Sequence, residues 1–414
     1  MTSFPRLRRR AGLATWLAIV ASLPGAATAA AQSVPPPVAP VPVANPALRL
    51  SGPAVRAAGV AIPLAGHGAR PGAVVELQRL IGGDRWVTIK KRPARADGTL
   101  RLSYDPVTLR PRHRLRLAAD GVASPAITVR TRAIALAAFG DVNFGDGVGA
   151  VMNQRGALWP WRGVASMLRR ADVAFGNLEC AISRRGYPVA KQFNFRGSPD
   201  HLARVVRFAG LDVLNLANNH AGDYGTTALL DTVRAVRANG VLAVGAGATL
   251  AAARRPQVIT RLGLRIGFVG FSDIGPASFA AGPGRPGTQF ASPGAIAQGV
   301  RAARRSSDVV IATFHWGVER ATDENARQRA FARTALAAGA TAVIGAHPHV
   351  LQPVRRPGRR KLIAYSLGNF VWSAGSPSTS RTGILRLLLS GRGVEAAKLL
   401  PARIEHTRPR LLGR

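Results

Sequence analysis

Hydrophobic and polar positions set two different rhythms along this chain. From residue 48 to 130, short runs alternate apolar and polar residues, with turn signals about every 8–12 residues. Val74-Val75-Glu76-Leu77-Gln78 follows Arg70-Pro71-Gly72, and Leu100-Arg101-Leu102-Ser103-Tyr104 follows Asp97-Gly98. Trp86-Val87-Thr88-Ile89 and Arg114-Leu115-Arg116-Leu117 repeat the pattern. A period of two sends alternate side chains to one face, so this stretch predicts a small all-β sandwich. His67 and His113 are expected on its surface. Beyond residue 130, β-branched runs alternate with helical stretches, as an α/β sheet requires. Strands are predicted over 134–139, 173–175, 213–216, 266–271, 309–314, 342–344 and 362–365, and helices over 199–209, 226–239, 296–304 and 325–338. Runs at 384–389 and 394–399 read as closing strands.

The first 47 residues fit neither rhythm. Arg6, Arg8, Arg9 and Arg10 precede an apolar stretch from Ala11 to Leu23, and small residues with A-x-A sites follow through Ala31. That layout predicts a signal peptide over residues 1–31 and a mature chain beginning near Ala30 or Gln32. The expected location is the periplasm, the cell envelope or the extracellular space. An uncleaved segment would instead anchor the chain in the membrane. Residues 32–47 are Pro-rich and read as an extended linker.

Composition narrows the chemistry. The 414 residues are 47% hydrophobic, enough for large cores, and the single cysteine, Cys180, excludes an intramolecular disulfide and any thiolate cluster. Lys and Arg number 57 against 20 Asp and Glu, a formal charge of +37. Only five of the basic residues are lysines, and an Ala/Arg/Gly/Pro-rich composition alone gives such a balance. The field it creates still attracts polyanions. No nucleic-acid-binding module is present, so nucleic acid is not an expected partner.

Chemistry-bearing residues gather where strand runs end. The motifs are FGDVNFGDG with Asp141 and Asn143, FGNLE with Asn177 and Glu179, LNLANNHAGDYG with Asn218, Asn219, His220 and Asp223, TFHWGVE with His315 and Glu319, and VIGAHPHV with His347 and His349. Loops at the carboxyl ends of strands are where α/β proteins build sites. Four of the eight histidines fall in these loops. Imidazoles at i and i+2, stiffened by Pro348, suit one metal or two adjacent metals. Imidazole, carboxylate and amide oxygen together suit Mn, Fe or Zn better than Ca. Lys191, Asn194 and Arg196, in AKQFNFRG between two of these loops, are candidate contacts for an anionic substrate.

The ordered set GDVNFG, FGNLE, LANNHAGDYG, TFHWGVE, GAHPHVLQPV and IAYSLGNF resembles the calcineurin-like metallophosphoesterase superfamily, and within it the CapA-type capsule (poly-γ-glutamate) synthesis proteins. The resemblance covers residues 132–405 and implies a β-sandwich core flanked by helices, with two divalent metals at the strand ends. It matches Asp141 to a first-metal aspartate, Glu179 to the place of a bridging aspartate, and Asn219 and His220 to an Asn-His pair of ligand and general acid. His315, His347 and His349 match the remaining metal histidines. Asn143 stands where many superfamily members place a histidine, which weakens or changes that first site. The region 48–130 resembles, through its G-x-x-V-x-L-Q and W-V-T runs, the immunoglobulin-like modules found beside bacterial surface enzymes.

Two functions from different classes follow. One is metal-dependent hydrolysis or transfer on an anionic capsule or cell-envelope polymer, alongside membrane-bound capsule synthesis machinery. The other is a non-catalytic component that binds, exports or anchors the polymer.

Overall fold

The computed structural model describes residues 43–44, 47–106 and 109–413. The expected signal peptide and nearly all of the Pro-rich segment lie outside the described residues. Among the described residues, 43–132 form a seven-stranded and a three-stranded sheet. Leu50, Ile62, Leu64 and Leu102 of the smaller sheet pack with Val75, Leu77, Leu115 and Leu117 of the larger one. His113 is not on the surface: it is 2% exposed, and its Nδ1 lies 3.4 Å from the Tyr104 hydroxyl. The strand begins at Arg112 rather than Arg114, so His113 shares its face with Leu115 and Leu117.

The rest of the chain is mixed α/β and rich in sheet. One sheet runs 242–244, 213–215, 173–178, 134–142, then 381–390, 393–405 and 408–411; its first four strands are parallel. A second places Leu264–Ser272, Val309–His315, Ala342–Ala346 and Lys361–Ala364 in parallel, with antiparallel strands at both edges. Leu136, Phe175 and Val213 of the first sheet share a buried cluster with Ile266, Phe268 and Ile311 of the second. Phe175 and Phe268 stack there with ring centroids 5.5 Å apart. Burying one such ring contributes about 1.5–3 kcal/mol. Helices cover both outer faces: Leu202, Val205 and Val236 pack on the first sheet, Ile296, Val300 and Phe331 on the second. Strands enclosed on both faces need apolar residues throughout, and Val173–Leu178 and Val309–His315 are buried along their whole length.

Helix starts follow local signals. Ser198 caps Pro199–Ala209 by accepting from Asp200 N–H, and Gly210 ends it at φ 69°. Asn325 and Gln328 form a reciprocal capping box for Ala326–Ala337. The helix Asp146–Arg155 has no such pattern: it contains Gly147 and Gly149 and buries only Val148 and Met152.

The two regions are joined through a turn. Ala57 is fully buried in the cluster between the two large sheets. Ala57 N–H donates to Leu262 O at 2.8 Å, Ala58 N–H to Arg132 O at 2.8 Å, and Gly391 N–H to Ala58 O at 2.9 Å. No helix among the described residues is long and apolar enough to cross a membrane.

Candidate metal centre

Parallel strands in both large sheets end on the same side, and their last residues meet there. Asp141 lies near the end of Ile134–Val142, in register with Asn177 on one flank and Asn369 on the other. Gly140 makes the second pairing possible. A Cβ on it would lie 1.8 Å from Gly368 O, the acceptor of Asp141 N–H at 2.9 Å. Glu179 follows the next strand, and its N–H donates to Val142 O at 2.8 Å.

Two groups converge. Asp141, Glu179 and His315 form one and Glu179, His347 and His349 the other, each with ligand atoms within 4.8 Å of one another. Glu179 belongs to both. His315 Nε2 lies 3.2 Å from Glu179 Oε1 and 2.7 Å from Asn219 Oδ1. His349 Nδ1 lies 3.3 Å from Asp141 Oδ2 and 2.9 Å from Asn369 Oδ1. His347 and His349 both hold positive φ, 99° and 59°. Non-glycine residues held so cost about 1–3 kcal/mol each and cluster where side chains must be aimed at a ligand.

Burial is the largest single influence on the charge of these groups. Burial, then the charge of Asp141, pushes the Glu179 carboxyl well above the usual range. Burial, reinforced by the neighbouring histidines, holds His315 well below an ordinary imidazole and His347 at about 4. Both are therefore neutral, the form that ligates metal. Burial also opposes charge on His349, but the Asp141 hydrogen bond and charge outweigh it and raise its pKa. Glu179 Oε1 and His347 Nδ1 are buried without a hydrogen-bond partner. Orphaned buried acceptors are costly, and here both are potential ligand atoms.

His220 lies beside this centre on a separate support. Its Nδ1 meets Asp223 Oδ2 at 2.7 Å, and Asp223 is fully buried. Asp223 also accepts from Phe195 N–H at 2.6 Å and from Lys191 Nζ at 2.6 Å. Lys191 Nζ donates as well to Asn219 O at 2.8 Å, tying this support to the ligand loop. The Phe195 ring stacks on His220 at 4.3 Å. Burial lowers the His220 pKa, against the raising effect of Asp223.

The fold thus brings together Asp141, Glu179, Asn219, His220, His315, His347 and His349. The Asn143 Oδ1 accepts Gly145 N–H at 2.7 Å, within its own loop. Lys191 is held in the ion pair with Asp223. Asn194 donates to Val189 O and Lys191 O, with its own Oδ1 buried and unpaired. Arg196 stacks over Tyr224 at 4.1 Å.

Asn177, named in the FGNLE motif without a specific role, is the hub of the site. Its Nδ2 donates to Asp141 Oδ1 at 2.9 Å and lies 3.3 Å from His315 Nδ1, while its Oδ1 accepts from Asn215 Nδ2 at 2.9 Å. Asn369 was missed; the position of LGNF after a strand run was its signal.

Fold and site together define a sheet-rich α/β protein with a buried carboxylate–imidazole centre at converging strand ends. The chain belongs to the family described as bacterial capsule synthesis protein PGA_cap, whose model matches residues 135–374. That match spans every proposed ligand from Asp141 to His349. The chain is 32% identical over 273 residues to the PGA biosynthesis protein CapA of Bacillus subtilis (strain 168), covering 65% of this chain and 71% of that one. It is 30% identical over 280 residues to the capsule biosynthesis protein CapA of Bacillus anthracis, covering 66% and 67%. Among solved structures, the NAD nucleotidase NadN of Haemophilus influenzae matches with a TM-score of 0.40 and 11% identity, over 66% of this chain and 57% of that one. A likeness that loose assigns nothing.

Proposed function

We propose that this chain is an exported capsule or poly-γ-glutamate assembly protein whose centre holds divalent metal ions and acts as a hydrolase or transferase on an anionic envelope polymer. One observation carries the reading: two ligand groups share Glu179, and Glu179 Oε1 and His347 Nδ1 are buried without a hydrogen-bond partner. Asp141, Glu179, Asn219, His315, His347 and His349 would hold the ions. Neutral imidazoles, carboxylates and an amide oxygen fit Mn, Fe or Zn. Ions bound there supply Lewis acidity and lower the pKa of a bound water. Asp223 orients His220 through Nδ1, leaving Nε2 as the proton donor to a leaving group. The fold class proposed for residues 132–405 is metallophosphoesterase-like, and that for residues 48–130 immunoglobulin-like, preceded by a cleaved signal peptide over 1–31 and a linker over 32–47.

The test is turnover of a generic phosphodiester by the metal-loaded chain. Activity should fall about 10²–10⁴-fold in His220→Ala, the usual worth of a general acid. A metal-loaded chain that binds polymer but turns over nothing favours the non-catalytic role. One observation already points that way: Asn143, at a position where the superfamily resemblance expects a ligand, spends its oxygen on Gly145 N–H.

A further inference from the structure

At the far end of the second large sheet, where its parallel strands begin, lies a cavity of about 240 Å³. Val309 starts one strand at this end and His315 finishes it at the metal centre. Six steps at about 3.3 Å per residue separate the two ends by about 20 Å. The cavity is therefore a separate place in the fold.

Its lining is strongly one-sided in charge. Arg304, Arg360, Lys361 and Arg392 line it, against Asp308 as the only carboxylate among the described residues. Asp308 is taken by Arg265, at 2.7 Å. Arg360 is paired with Glu395, whose other oxygen accepts from the Ser390 hydroxyl. Lys361 Nζ donates to Leu336 O at 2.9 Å, and Arg304 donates to the carbonyls of Ser307 and Asp308. Carbonyl acceptors fix these side chains in place without neutralising them. Among the described residues, Arg265, Arg304, Arg360, Lys361 and Arg392 stand around the cavity beside Asp308 and Glu395.

Glycine backbones keep the arginines close. A Cβ on Gly393, at φ 118°, would lie 2.6 Å from Arg360 O, and one on Gly339, at φ 109°, would lie 3.0 Å from Arg304 Cγ. No aromatic residue among the described residues lines the cavity, so they offer no stacking surface for a base. Its volume falls below the roughly 300–1,000 Å³ usual for drug-sized ligands. What remains is a small, concave, cationic cup. Like charges lining a concave surface focus the field on whatever anion enters, and the guanidinium fork matches two oxygens at once.

We infer that the cup formed by Arg304, Arg360, Lys361 and Arg392 is a second anion site, taking a single oxyanion group, carboxylate or phosphate, of a larger polyanionic ligand. It holds that ligand independently of the metal centre.

Calorimetric titration of the full chain tests this, using inorganic phosphate and, separately, a short glutamate oligomer. Both titrations are run on chelator-treated protein and repeated on His347→Ala, so that the metal centre contributes nothing. Saturable binding is expected, weakened at least tenfold in the Lys361→Gln/Arg392→Glu double variant. Arg392→Glu alone, a change at an exposed position, should give a smaller loss if the double variant fails to fold. Arg101→Glu, an exposed change in the amino-terminal sheets, should bind as wild type does. Tighter phosphate binding identifies a phosphate ligand, and tighter oligomer binding a carboxylate one. The inference is overturned if wild type binds neither probe saturably, if the cavity variants bind unchanged, or if Arg101→Glu loses as much, which would show a net-charge effect only.

Discussion

Asp223→Ala removes the support beneath His220. The change deletes contacts from Lys191 Nζ at 2.6 Å, His220 Nδ1 at 2.7 Å and Phe195 N–H at 2.6 Å, all on a fully buried carboxylate. Hydrogen bonds to charged groups contribute about 1.5–3 kcal/mol each, so the gross loss is of order 5–9 kcal/mol. Relaxation recovers part of it, because the Lys191 side chain keeps 19% exposure and regains some hydration. Removing one member of a buried pair typically costs about 3–5 kcal/mol, the value expected here. Lys191→Met leaves Asp223 fully buried with two donors but without its lysine, so a cost of about 3–5 kcal/mol is expected there too. In the double variant the two losses should fall short of additivity by about 1–3 kcal/mol, since both remove the same contact. Urea unfolding of the four proteins in the cycle measures this. A cost under about 1 kcal/mol for Asp223→Ala, or additivity within about 0.5 kcal/mol, would refute the buried support.

Two further outcomes follow from contacts away from the centre. Glu76 is drawn from 4.5 to about 2, chiefly by its hydrogen bond to Lys91 and then by Thr88. The folded pKa lies below the unfolded one, so its stabilisation is present above pH 4.5 and is lost as pH falls towards 2. Partial exposure limits the effect to about 1–2 kcal/mol; Glu76→Gln should flatten acid unfolding between these values, and an unchanged profile contradicts the assignment. A chain of residues 132–414 should fold and bind metal yet melt below the full chain, because it lacks Ala57 in the core and three backbone hydrogen bonds of about 1 kcal/mol each; equal melting by calorimetry contradicts that coupling through Ala57, and an insoluble fragment counts against the proposed boundary.

How far the sequence disclosed the molecule depended on whether a signal was local. Pro199–Ala209 was readable to the residue because Ser198, Pro199 and Gly210 mark its ends within the chain itself. The metal-capable residues stood out because buried parallel strands leave polar chemistry only where they stop. Asp146–Arg155 was illegible because two glycines and only two buried side chains give no periodic face. His113 was misplaced by a strand start set two residues late, although its parity with Leu115 already pointed inward. Asn177 and Asn369 flank Asp141 through sheet register, and register is a tertiary fact that no spacing in one segment records. Asn143 shows the converse: a motif position can be matched while its side chain satisfies its own loop.

Metal per chain, measured by elemental analysis on wild type, His315→Ala, His347→Ala, His349→Ala and His220→Ala, bears on everything proposed for the centre. Ligand atoms that converge on Glu179 should hold divalent metal in wild type. Each of the three ligand substitutions should lower the content, since loss of one protein donor rarely leaves a site intact. His220, whose Nδ1 is held by Asp223, should be dispensable for binding, so its variant should match wild type. Equal metal content in all five proteins, or none in wild type after loading with Mn, Fe or Zn, would contradict the account.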